Sequence, residues 1–108
     1  MDKKEISQIL VQMGVRRNLK GFEYLTSCIS HEIENSRTVW STIRVVANEF
    51  GRKDRAIERD VRTAVESCDK NITTEDRARL FGKQKMTTAL FIKTVASCIK
   101  DGTLSEKM

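Results

Sequence analysis

The stretch VANEFGRKDRAIERDVRTAVE, Val46 to Glu66, decides how the chain is read. Its opening residues close one apolar-periodic segment, Gly51 stops it, and after Arg52 and Lys53 a second segment begins at Asp54. There Ile57, Val61, Ala64, Val65 and then Cys68 recur at steps of three and four, the spacing that gathers side chains on one buried helix face. The opposite face is cationic. At about 100° per residue, Arg55, Arg59 and Arg62 fall within about 60° of one another, with Glu58 beside them. Two helices joined by a short glycine-containing turn, the second with a charged outer face, make the pattern of a helix-turn-helix over about residues 37–70.

The same period runs outward in both directions. A first helix is predicted over about Lys3 to Met13, with Ile6, Ile9, Leu10 and Met13 inward and Gly14 as its C-terminal stop. A second runs from about Leu19 or Gly21 to Asn35 on Phe22, Leu25, Cys28, Ile29 and Ile33, with Tyr24 flanking the stripe. The third, about Arg37 to Phe50 with Ser36 as N-cap, turns Trp40, Ile43, Val46, Ala47 and Phe50 inward. The fourth spans about Asp54 to Lys70. Thr73 or Thr74 caps a short fifth ending at Phe81, and Thr87 caps a sixth that runs through Lys100 and stops at Gly102. No run of strict alternation suggests a strand. The expected fold is all-α, a compact six-helix bundle, winged-helix-like but without a clear wing, and one domain over residues 1–108.

Composition agrees with a packed core: 108 residues are 39% hydrophobic and 32% charged, with no proline and five glycines. Twenty Lys and Arg against 15 Asp and Glu leave a charge of +5, which suits an anionic partner. No apolar run reaches the roughly 18–20 residues of a membrane span, and MDKKEISQIL has no signal-peptide core, so a cytoplasmic protein without membrane attachment is expected. Cys28, Cys68 and Cys98 lie too far apart for a zinc site or a disulfide framework and read as small buried hydrophobes. His31 is the only histidine, reads as a helix-surface residue and is assigned no role. Glu32 and Glu34, Glu75 and Asp76, and Asp54 and Asp60 read as solvated faces or helix N-terminal partners rather than acid/base pairs. Without a phosphate loop or a nucleophile motif, no enzyme, cofactor or metal is expected. The lysines near the ends, Lys3, Lys4, Lys100 and Lys107, read as solubilising charge, with diffuse attraction to DNA as the alternative.

The arginine stripe is where chemistry concentrates. A guanidinium donates two parallel hydrogen bonds to guanine O6 and N7, and a carboxylate accepts from the cytosine amine, so Arg55, Glu58, Arg59 and Arg62 are candidate base readers. Arg52 and Lys53 in the turn are candidate phosphate ligands, since backbone amides and cations meet at a helix N-terminus. The same stripe also fits an ordinary solvated face, with Glu58 and Arg62 forming an i, i+4 pair. What favours DNA is the coincidence of the stripe with a preceding helix, a short glycine turn and net positive charge. Trp40, Phe22, Phe50, Phe81 and Phe91 read as core, because a base-stacking platform needs exposed aromatics among basic residues.

The segment LKGFEYLTSCI, Leu19 to Ile29, followed by Val46 to Glu66, then LFG at Leu80 to Gly82 and TTALFI at Thr87 to Ile92, resembles the DNA-binding effector domain of the sporulation master regulator, stage-zero sporulation protein A. The similarity extends over about Ile6 to Ile99 and implies six helices whose helix-turn-helix reads tandem promoter sites. The recognition-helix Glu and two Arg that contact DNA in that family match Glu58, Arg59 and Arg62, whereas a base-contacting position normally held by a small hydroxyl residue is Arg55. A different sequence preference is therefore expected. The loop after LFG is shorter and lacks the family's proline, although Lys83 and Lys85 keep it basic as candidate phosphate ligands. The chain starts at Met1, almost at the first helix, so no phosphorylatable receiver domain is expected. The implied partners are double-stranded DNA, RNA polymerase through its sigma subunit, and further copies of the chain arranged head to tail on tandem sites. The alternative is a protein-interaction adaptor that kept the scaffold without reading DNA, and such a face should show an exposed apolar patch.

Overall fold

In the computed structural model, which describes residues 2–104, the periodic segments form α1 (Lys3–Met13), α2 (Lys20–Glu34), α3 (Val39–Phe50), α4 (Asp54–Asn71), α5 (Thr74–Phe81) and α6 (Thr88–Lys100). Among the described residues there is no strand, and so no wing. Lys107 and Met1 lie outside the described residues.

Short oxygen-bearing side chains start four of the helices. Asp2, Thr38, Thr73 and Thr87 each accept a hydrogen bond from the amide three residues on, which satisfies one of the donors left open at a helix N-terminus. α3 is thus capped by Thr38, two residues later than Ser36. Ser36 is committed elsewhere, its Oγ donating to Glu32 at 3.3 Å. At the other end Gly51 takes φ 65°, a left-handed conformation that suits glycine, and the Arg52 amide returns to the Ala47 carbonyl. The chain thereby turns into α4 within three residues.

α2 is the central element and packs against α1, α3, α4 and α6. Its buried Phe22, Leu25, Cys28 and Ile29 meet Ile6, Ile9 and Leu10 of α1, Ile43 and Val46 of α3, Ile57, Val61 and Val65 of α4, and Phe91, Ile92 and Val95 of α6 in one continuous core. Tyr24 sits edge-on to Phe50 with ring centroids 5.0 Å apart, and Phe81 stacks on Phe91 at 5.7 Å. Cys28 and Cys68 are buried as expected, and burial pushes both thiols up to about 12. Cys98 is only partly covered, at the outer edge of α6.

Two further expectations fail. Trp40 is 51% exposed rather than part of the core. Periodicity places it on the stripe, but a stripe residue is buried only where another element covers it, and beside the first turn of α3 lies an open groove. Glu32 is buried at 3% exposure rather than solvated. Its carboxylate accepts from Ser36 Oγ, from the Arg37 amide at 3.3 Å and from Lys93 Nζ of α6, and Lys93 also donates to the Arg37 carbonyl. The loop into α3 is therefore held on both sides of Arg37. A buried charge is tolerable when paired and hydrogen-bonded in this way.

Candidate nucleic-acid interface

The apolar stripe of α4 seats Ile57, Val61, Ala64, Val65 and Cys68 in the core. Helical geometry then obliges Arg55, Arg59 and Arg62 to face outward, and all three are exposed while Glu58 is half-buried beside them. They line a groove of about 1230 Å³ between α4, the N-terminal turn of α3 and the start of α6. Lys53 from the turn and Lys85 from the α5–α6 loop also line it, as do Val39 and Trp40 of α3 and the buried Ile43, Val65 and Met86. Five cationic side chains line it against three acidic ones, Glu58, Glu66 and Asp69.

Six of the eight residues singled out from sequence, Lys53, Arg55, Glu58, Arg59, Arg62 and Lys85, thus share one groove. The other two do not join it. Arg52 lies in a separate shallow depression with Arg44 and Asn48, and Lys83 is exposed on the α5–α6 loop outside both.

The cations of the stripe are loosely held. Arg62 donates to Glu58 at 3.3 Å and Arg59 lies 3.6 Å from Asp60, while Arg55 makes no ion pair among the described residues. The Glu58–Arg62 contact is the i, i+4 pair that a solvated face would also show. Exposed pairs of this kind are worth only about 0.3–0.5 kcal/mol, so either arginine is released to a phosphate or base at small cost. α4 also begins without a side-chain cap, which leaves its first-turn amides directed at the turn occupied by Arg52 and Lys53.

Sequence reasoning missed Arg77. Its guanidinium bridges Asp69 on α4 at 3.0 Å, the Gly82 carbonyl at 3.1 Å and the Gln84 carbonyl at 2.7 Å. This one side chain ties the loop that carries Lys83 and Lys85 to the C-terminal half of α4. Nothing in its spacing announces the role, because its acceptors are two loop carbonyls and a carboxylate eight residues away.

His31 has no metal-ligand company: its Nε2 lies 3.2 Å from Glu49, which also meets Lys3 at 3.4 Å. This cluster joins α1, α2 and α3. Burial alone would raise the Glu49 carboxyl, but the His31 hydrogen bond and the Lys3 ammonium outweigh it and hold the group below its ordinary value. Among the described residues no three His, Cys, Asp or Glu side chains gather into a metal site, and no helix is long and apolar enough to cross a membrane.

No curated protein matches the chain by sequence. A family model does: residues 6–99 match the one described as Sporulation initiation factor Spo0A C terminal, which takes in all six helices from the middle of α1 to the last turn of α6. The chain belongs to the Spo0A C-terminal family of sporulation regulators.

Proposed function

We propose that this chain is a transcription-regulator domain that binds duplex DNA with sequence preference, α4 entering the major groove. The observation that carries the reading is that Arg55, Arg59 and Arg62, on the second helix of a helix-turn-helix, share one groove with Lys53 of the turn and Lys85 of the α5–α6 loop. Arg55, Glu58, Arg59 and Arg62 read base edges. Lys53 and Lys85 anchor phosphates along the groove, and Arg52 and Lys83 reach phosphates outside it. Family membership supports a regulatory DNA-binding role without catalysis. It also supports action in the cytoplasm, head-to-tail copies on tandem sites, and a contact with the sigma subunit of RNA polymerase. The adaptor reading draws on Trp40 with the apolar residues beside it in the groove and on the exposed Val11 of α1, and exposed apolar residues that stand apart in this way are common on soluble domains.

Selection of bound sequences from a random duplex library at fixed salt tests this reading. A recovered motif is expected, together with log K falling against log salt at a slope of about −4 to −5, as for about four to six neutralised phosphates. Recovery of no motif, or an affinity indifferent to salt, overturns it.

A further inference from the structure

Trp40 is the one tryptophan of the chain, and the fold leaves it half outside the core in the groove that holds the arginine stripe. It is therefore an exposed aromatic among basic residues, with Arg55, Arg59, Arg62 and Lys85 lining the same groove. It also stands in the first turn of α3, the leading helix of the helix-turn-helix, which in such units crosses the sugar-phosphate backbone while the second helix reads the bases.

Resting on the DNA reading above, we infer that Trp40 is a DNA contact of a third kind: its indole packs on deoxyribose of the strand that passes the N-terminal turn of α3. It adds apolar burial and neutralises no phosphate. Three observations support this. The groove's excess of cations selects a polyanion over an acidic-poor apolar partner, and of the polyanions duplex DNA presents a sugar face directly beside its phosphates. The ring is presented from a fixed platform: Thr38 caps the turn through the Ser41 amide at 3.1 Å, Thr42 Oγ1 donates back to the Thr38 carbonyl at 3.2 Å, and Glu32 and Lys93 hold the backbone amide and carbonyl of Arg37. An indole has only two side-chain torsions, so little freedom remains to be lost when it is covered.

The contact has a signature that separates it from both charged classes. A base reader loses affinity on one sequence, a phosphate anchor lowers the salt slope, and a sugar contact does neither. The test is equilibrium binding of the full chain and of Trp40→Ala, Trp40→Phe and Lys53→Ala to duplexes carrying one selected site, two adjacent selected sites or a scrambled sequence, across a salt series. Trp40→Ala is expected to weaken both duplexes by about 5- to 30-fold with the wild-type salt slope. Trp40→Phe should retain most of the affinity, and Lys53→Ala should lower the slope by about one. Tryptophan fluorescence of the wild type should change on binding either duplex. Trp40→Ala binding as tightly as the wild type overturns the inference, as does a loss confined to duplexes with two adjacent sites, which would make Trp40 a contact between copies. Failure of the wild type to bind any duplex sinks the DNA reading itself, an outcome distinct from either.

Discussion

A Cβ added to Gly21 would lie 1.8 Å from the carbonyl oxygen of Asp60, so the first turn of α2 rests directly on the backbone of α4. The central helix thereby sets the height of the helix that carries the arginine stripe. Only a residue without a side chain permits this approach, which gives a physical reason for the glycine in the LKGF segment.

Gly21→Ala is therefore expected to destabilise the domain by about 2–3 kcal/mol, since the atom it would strike is backbone and cannot swing aside. The sign is informative. In an open helix the same change adds about 0.5–1 kcal/mol of stability. Urea denaturation checks it, and a variant as stable as the wild type would mean that α2 and α4 do not approach so closely.

The Glu32–Lys93 pair should show a lopsided response. Lys93 has a half-exposed side chain and Glu32 a buried one, so Lys93→Ala strands a carboxylate inside the protein whereas Glu32→Gln leaves an ammonium that can turn to water. We expect a loss of about 3 kcal/mol for Lys93→Ala and about 1 kcal/mol for Glu32→Gln. Thermal and urea melts of both variants decide it, and the reverse order would contradict the burial assigned to Glu32.

The charged outer face of α4 was legible in its sequence because a helix buried on one side has only one other side to offer. Arg55, Arg59 and Arg62 needed no tertiary information beyond the stripe opposite them. Gly14 and Gly51 were legible for a similar local reason, each standing where a helix ends in a left-handed residue. Trp40 was not, since periodicity gives the direction of a side chain and says nothing of whether another element lies over it. Glu32 and Arg77 escaped because their partners are 61 residues away on α6 and on a loop whose path no local pattern defines. Lys85 and Lys83 looked equivalent in sequence, and the path of the α5–α6 loop brings only Lys85 to the groove.

The Lys3–Glu49–His31 cluster predicts an acid-side response. The folded-state value of Glu49 lies below its ordinary 4.5, so its contribution to stability is fully present above that value and is lost as pH falls through the folded-state value. The pair is largely exposed, which keeps the effect small. Glu49→Gln should be less stable than the wild type at neutral pH, and the gap should narrow at an acid pH below the folded-state value of the carboxyl. Denaturation at the two pH values measures this, and a gap that stays constant would show that the cluster does not favour the ionised carboxylate.

The most direct test of the central claim compares Arg62→Ala on the selected duplex and on a scrambled one. Arg62 points away from Ile57, Val61 and Val65, so the variant should fold, which circular dichroism verifies. If Arg62 reads a base edge, its loss should cost about 1–3 kcal/mol on the selected duplex, relax the preference at one or two base pairs and leave scrambled DNA little affected. Equal weakening on both duplexes would make Arg62 a phosphate anchor and contradict base reading by the stripe of α4.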